Sequence, residues 1–133
     1  MSTKTTIAFV CLHGSAKSLI AAEYLNRRAS ECGLKMSATT SGPEPDPVVP
    51  SNVIEGLHRR NIDASRRVPE RVTALNLTRA DHIVSFGCDL EDLLGADRVI
   101  EHWDDCPAVS DDFDVAWLFI TGRVEQLIDR LQS

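Results

Sequence analysis

The chain has 133 residues, of which 43% are apolar and 26% are charged, and its 14 basic and 20 acidic side chains give a formal net charge of −6. This length and composition fit one globular domain over residues 1–133 and exclude a disordered or fibrous chain. The negative charge repels a polyanion, so nucleic acid is not an expected partner. No apolar run approaches the roughly 20 residues that span a bilayer, and we expect a cytoplasmic protein with no membrane partner.

Four cysteines, at positions 11, 32, 88 and 106, are too widely spaced for a small disulfide scaffold. They form no CxxC pair, and the four histidines form no HExxH or HxxxH pattern. The sequence therefore predicts reduced thiols, with neither a metal site nor a cofactor.

The first half of the chain predicts alternating strands and helices. The β-branched, apolar run Thr5–Val10 indicates a buried strand, and apolar residues at helical spacing predict a helix over 17–28. Alternation over 33–39 predicts a second strand. The sequence Gly-Pro-Glu-Pro-Asp-Pro at 42–47 indicates a rigid loop, because proline lacks a backbone donor. A helix over 52–60 follows, with Ser51 as its N-cap.

The second half continues this pattern. We expect a helical turn over 72–77, a strand over 81–86, a single helical turn over 90–94 and a last strand over 98–103. Apolar residues recurring every three or four positions predict a closing helix over 112–131. Such alternation is typical of an α/β fold with a central, mostly parallel sheet of four strands, helices on both faces, and ligands at the carboxyl ends of the strands.

The loop at 11–18, after the first strand, carries a thiol at the strand end and a cation six residues later, at the start of a helix. Successive backbone N–H groups and the positive end of the helix dipole favour a bound oxyanion, and Gly14 permits the unusual backbone angles of such a turn. The same field favours the thiolate form of a cysteine. We therefore predict an oxyanion cradle in which Cys11 is a nucleophile toward phosphorus or arsenic.

Here the sequence resembles the low-molecular-weight protein tyrosine phosphatases and the related thioredoxin-coupled arsenate reductases, whose loop reads C-x5-R-S. Besides Cys11 and Ser18, the resemblance includes Thr-Ser-Gly at 40–42, Asn-Ile-Asp at 61–63, Ala-Asp at 80–81 and an acidic proline segment before the last helix. Phe-Gly-Cys at 86–88 and His-Trp at 102–103 look more like the arsenate reductases.

This resemblance implies the three-layer α/β sandwich of these phosphatases. It also implies that Cys11 is the catalytic nucleophile, that backbone amides of the loop bind the oxyanion, and that Ser18 hydrogen-bonds the Cys11 sulfur. The residues expected to bind the oxyanion are Leu12, His13, Gly14, Ser15, Ala16, Lys17 and Ser18.

Lys17 stands where the family has arginine. Its ammonium offers one flexible point charge in place of a planar fork that grips two oxygens, so the charge is kept and the geometry is not. His13 and Gly14 replace the Gly and Asn of the family, whose hydrogen bonds brace the loop. We expect Lys17 to take part in catalysis and the activity to be weakened.

The general acid of the family is an aspartate immediately before a proline, a position that Cys106 occupies in Asp-Asp-Cys-Pro at 104–107. We predict Asp105 as the acid, with Asp104 as the alternative. General acid catalysis is worth roughly 10² to 10⁴ in rate, so the placement of this group matters.

Cys88 lies where the arsenate reductases carry the cysteine that resolves the nucleophile. The next cysteine of that relay is absent unless Cys106 substitutes for it. A redox role for Cys88 with an external thiol reductant is one hypothesis, and a buried thiol at a strand end is the other. Cys32 and Cys106 are predicted to be structural or incidental.

Three functions stay open. The favoured one is hydrolysis of phosphomonoesters, either phosphotyrosine in proteins or small aryl phosphates, through a cysteinyl-phosphate on Cys11. The second is arsenate reduction by Cys11 with an external thiol. The third is a pseudophosphatase that binds phosphate or a similar oxyanion without turnover.

Overall fold

The computed structural model describes residues 4–95 and 98–132. Its strands are β1 (Thr5–Val10), β2 (Met36–Ser41), β3 (His82–Ser85) and β4 (Glu101–His102). Its helices are α1 (Lys17–Cys32), α2 (Ser51–His58), α3 (Ala74–Arg79), α4 (Glu91–Leu94) and α5 (Phe113–Gln132). The strands form one parallel sheet in the order β2-β1-β3-β4. The predicted α/β fold with a parallel, four-stranded sheet is confirmed.

Strand β1 lies inside the sheet and is buried on both faces. Alternate residues of a strand point to opposite faces, so Ile7 and Phe9 join a core shared with α1, α2 and α5. Ala8 and Val10 join a second, smaller core that includes Leu77 of α3. An apolar run without alternation is what a parallel strand covered on both sides requires. The predicted three layers are therefore present.

Helix α1 ends four residues later than the predicted 17–28. Gly33 stops it in the left-handed conformation, with φ of 65°, and donates its N–H to the carbonyl of Ala29. The predicted strand over 33–39 is consequently displaced, and β2 begins only at Met36.

The prediction of Ser51 as an N-cap is wrong. Pro50 holds the cap position, and Ser51 is the first residue of α2, which ends at His58 instead of residue 60. Helix α3 begins two residues later than predicted because the Thr73 hydroxyl accepts a hydrogen bond from the N–H of Asn76 at 3.1 Å.

Strand β4 is much shorter than the predicted 98–103. Before it, the Arg98 side chain donates to the carbonyls of Leu77, at 3.4 Å, and Ala80, at 3.0 Å. This part of the chain is thus attached to α3 by a side chain. Strand β3 is also shorter than the predicted 81–86, and α5 begins at Phe113, one residue after the predicted start.

All four strands point the same way, so the loops that follow them meet at one edge of the sheet. Strands β2 and β3 lie on opposite sides of β1, and the end of β1 is therefore the point at which the strand order reverses. The loop at 11–18 leaves β1 there. No helix in the described part of the chain is long and apolar enough to cross a membrane.

Candidate active site

The Cys11 thiol lies at the end of β1, only 6% exposed, and is held by the first turn of α1. Its Sγ lies 3.0 Å from Ser18 Oγ, and the Ser18 N–H donates to the same sulfur at 3.5 Å. Ser18 Oγ in turn lies 2.7 Å from Thr40 Oγ1 on β2. The buried Ser18 hydroxyl is therefore fixed on both sides, and its contact with Cys11 has the geometry that the resemblance implied.

Five residues of the loop line the cavity beside Cys11, and no protein group in the described part of the chain accepts their N–H; they are Leu12, His13, Ser15, Ala16 and Lys17. Binding of an oxyanion by these amides stays a prediction. Gly14 and Ser18 differ from the prediction. Gly14 donates its N–H to the Cys11 carbonyl at 3.2 Å, Ser18 donates to the sulfur, and neither lines the cavity.

The proline-rich segment at 42–47 supports the loop at 11–18, a role that was not predicted from the sequence. We call the loop the oxyanion loop and the segment its brace. Glu44 donates its N–H to the Leu12 carbonyl at 2.9 Å, and Asp46 donates its N–H to the His13 carbonyl at 3.2 Å. His13 Nδ1 donates to the Glu44 carbonyl at 2.9 Å, and Ser15 Oγ donates to Asp46 Oδ2 at 2.6 Å. Prolines at 43, 45 and 47 lack an N–H, so the two donors of this stretch both serve the loop. That alternation is the signal that could have indicated the brace.

Gly42 allows this close approach. A Cβ at this position would lie 2.4 Å from the Cys11 carbonyl oxygen and 2.5 Å from the Gly14 nitrogen. Gly14 itself has φ of 59°, in the left-handed region, as the sequence predicted for the turn. The loop and the brace can lie in contact only because both positions are glycine.

A cavity of about 350 Å³ opens over Cys11. One wall is the oxyanion loop, including Lys17, and the others come from Asp46, the start of α2 and residues 108–110. Phe86 also lines the cavity; the residue is 6% exposed, and its ring packs against Phe9 and Trp103. Lys17 lines the cavity and forms no ion pair with a carboxylate in the described ranges.

The predicted acids lie outside the lining of this cavity. Asp105 Oδ2 accepts a hydrogen bond from Arg123 of α5 at 2.8 Å, and Asp104 Oδ1 lies 3.8 Å from His102 Nδ1. Both carboxylate side chains are 65% exposed. Asp105 as the general acid therefore stays a prediction, and its ion pair with Arg123 must open before the carboxylate can turn toward Cys11.

Cys88 and Cys106 are buried thiols near the same edge of the sheet. Burial, followed by the charge of Cys11, raises the pKa of Cys88. Burial likewise raises the pKa of Cys106 to about 11, although the Lys17 ammonium lowers it. Both thiols are protonated at neutral pH, which makes them slow nucleophiles. Cys32 is exposed at the end of α1.

The chain was compared with models of known protein families. The family model of the low molecular weight phosphotyrosine protein phosphatases matches residues 6–102, and the chain belongs to this family. The resemblance drawn from the loop and its accompanying motifs is thereby confirmed.

Solved structures show the same fold. The chain is similar to YfkJ from Bacillus subtilis, with a TM-score of 0.87 and 20% identity over 98% of this chain and 96% of that one. It is similar to the low molecular weight protein tyrosine phosphatase of Streptococcus pyogenes, with a TM-score of 0.81 and 16% identity over 97% and 94% of the two chains. It is also similar to the thioredoxin-dependent arsenate reductase of Corynebacterium glutamicum, with a TM-score of 0.81 and 21% identity over 98% of this chain and 63% of that one. At such identities the likeness establishes the fold alone. No curated protein matches the sequence.

Proposed function

We propose that the protein hydrolyses phosphate monoesters through a cysteinyl-phosphate formed on Cys11. One observation carries the proposal. A buried thiol in contact with the Ser18 hydroxyl lies in a cavity lined by loop residues whose N–H groups have no acceptor in the described part of the chain. This arrangement supplies a nucleophile and a set of donors for the oxygens of one tetrahedral oxyanion.

The chemistry follows from these groups. The Cys11 sulfur attacks phosphorus, so an S–P bond forms as the ester P–O bond breaks, and the leaving oxygen takes up a proton to depart as the alcohol. Water then attacks phosphorus and gives up a proton, the S–P bond breaks, and inorganic phosphate departs. The Ser18 hydroxyl, 3.0 Å from the sulfur, stabilises the thiolate at the start and end of this cycle.

Lys17 helps to bind the phosphoryl group but does little to orient it. It lines the cavity and supplies a positive charge at the start of α1. An ammonium has no planar fork for two equatorial oxygens, so the transition state is held less firmly than it would be by arginine. We therefore infer a weakened phosphatase.

Hydrolysis of p-nitrophenyl phosphate tests the proposal. We expect turnover by the wild-type protein, its abolition in Cys11→Ser, and wild-type turnover in the matched control Cys32→Ser, since Cys32 is exposed and far from the loop in the fold. Tight binding of inorganic phosphate without any turnover would contradict the proposal and indicate a pseudophosphatase.

Arsenate reduction is the second candidate. It is favoured by two more thiols near Cys11, those of Cys88 and Cys106. Burial is the main cause of the raised pKa of both thiols, and the charge of Cys11 raises both further. The same raised pKa values weigh against it, because a resolving thiol must ionise to attack. Arsenate-dependent oxidation of an external thiol that is lost in Cys88→Ser would favour this candidate over phosphatase activity.

A further inference from the structure

The cavity over Cys11 contains one carboxylate among its described lining residues, and that carboxylate belongs to Asp46. The aspartates predicted as acids from their position before proline do not line it. Asp105 is paired with Arg123, and the Asp104 side chain is largely exposed. Asp46 is therefore the carboxyl group that can donate a proton inside the cavity without rearrangement of the surrounding loops.

Asp46 is fixed against the oxyanion loop at two points. Its N–H donates to the His13 carbonyl at 3.2 Å, and its Oδ2 accepts the hydrogen bond from Ser15 Oγ at 2.6 Å. The second oxygen, Oδ1, lies 3.7 Å from His13 Nδ1 and accepts no hydrogen bond from the described residues. The side chain is 34% exposed. One oxygen thus orients the carboxyl group while the other can exchange a proton with a ligand.

We propose that Asp46 is the general acid and base of the reaction, a step that rests on the proposed function. As the Cys11 sulfur bonds to phosphorus and the ester P–O bond breaks, the Asp46 carboxyl gives its proton to the leaving oxygen. The resulting carboxylate takes a proton from the water that attacks phosphorus in the second half. The S–P bond then breaks, and both Asp46 and the thiolate return to their starting states.

The other titratable groups among the described lining residues of the cavity are Cys11, His13 and Lys17. The Asp46 carboxyl group therefore shares the cavity with the nucleophile and with the Lys17 cation.

The dependence of kcat/KM on the leaving group separates this role from a purely structural one, because kcat/KM covers only the steps up to departure of the leaving group. Hydrolysis of the cysteinyl-phosphate, which is common to all substrates, does not enter it. A general acid matters most for a basic leaving oxygen and least for p-nitrophenolate, which departs without a proton. Asp46→Asn keeps an oxygen that accepts from Ser15 and removes only the proton. We expect a fall of about 10² to 10⁴ in kcat/KM for an alkyl phosphate and a much smaller fall in kcat/KM for p-nitrophenyl phosphate.

The matched control is Asp111→Asn, which makes the same substitution at an exposed residue that does not line the cavity. We expect its leaving-group dependence to equal that of the wild type. An equal loss of kcat/KM for every substrate in Asp46→Asn would mean that Asp46 only braces the loop, and a steeper leaving-group dependence of kcat/KM in Asp105→Asn alone would assign the acid to Asp105. Either result overturns the proposal.

Circular dichroism verifies that each variant is folded. If Asp46→Asn does not fold, Asp46→Ser removes the acid with a smaller side chain, and the same comparison applies. Wild-type protein that hydrolyses no phosphate ester would overturn the proposed function together with this step. Turnover that requires Cys11 but shows the same leaving-group dependence after loss of Asp46 would overturn this step alone.

Discussion

Substitution of Gly42 by alanine tests the contact between the oxyanion loop and its brace. The added Cβ would lie 2.4 Å from the Cys11 carbonyl oxygen, 2.5 Å from the Gly14 nitrogen and 2.7 Å from the Leu12 carbonyl oxygen. All three are backbone atoms, so no side-chain rotation relieves the overlap. Gly42→Ala must therefore move the loop away from the brace.

The magnitude follows from two costs. Overpacking of this kind costs about 1–3 kcal/mol. The N–H of Gly42 also donates to the Glu70 carbonyl at 3.0 Å, its carbonyl accepts from Val72 at 3.0 Å, and each such bond is worth about 1 kcal/mol. We expect the free energy of unfolding to fall by about 3 kcal/mol, which lowers Tm by about 10 °C in a domain of this size. A displacement of the loop amides by about 1 Å costs activity about 10²-fold.

Urea denaturation and hydrolysis of p-nitrophenyl phosphate measure the two effects. The matched control is Gly122→Ala in α5, where an added Cβ meets nothing within 4 Å and alanine stabilises a helix by about 0.5–1 kcal/mol. Gly42→Ala protein with wild-type stability and wild-type turnover would refute the close approach and the bracing role that we derive from it.

Three further outcomes follow from the same geometry. Lys17→Arg adds the missing fork, and because a charged hydrogen bond is worth about 1.5–3 kcal/mol we expect kcat to rise at least tenfold; an unchanged kcat contradicts the argument about the fork. Ser18→Ala removes the contact of 3.0 Å with the sulfur and should lower kcat about tenfold, whereas Ser30→Ala, exposed on the same helix, should not. The Arg28 guanidinium holds the pKa of Glu125 below its ordinary value of 4.5, so this carboxylate stabilises the fold above pH 4.5 and ceases to do so as the pH falls through the lowered pKa. Glu125→Gln should cost at most about 1 kcal/mol at pH 7, since the pair is partly exposed, and thermal melts of the two proteins should converge in acid.

The sequence by itself determined the elements whose signals are local. The apolar run of β1 and the helical periodicity of α1 and α5 identify these elements, because burial on both faces or along one stripe leaves a pattern in neighbouring residues. The loop was predictable for the same reason. Cys11, Gly14 and Ser18 lie within eight positions, so one short segment contains the strand end, the turn and the helix start that they occupy.

Only the tertiary structure decided what lies against that loop. Thr40 meets Ser18 across 22 positions of sequence, Asp46 meets Ser15 across 31, and Asp105 meets Arg123 across 18. Contacts at such separations depend on how the strands pair, which no local pattern specifies. A proline or an aspartate in the sequence indicates a loop or a charge, but its partner is set by the sheet order β2-β1-β3-β4. For this reason the nucleophile was predicted from the sequence, whereas the brace and the carboxylate in the cavity were not.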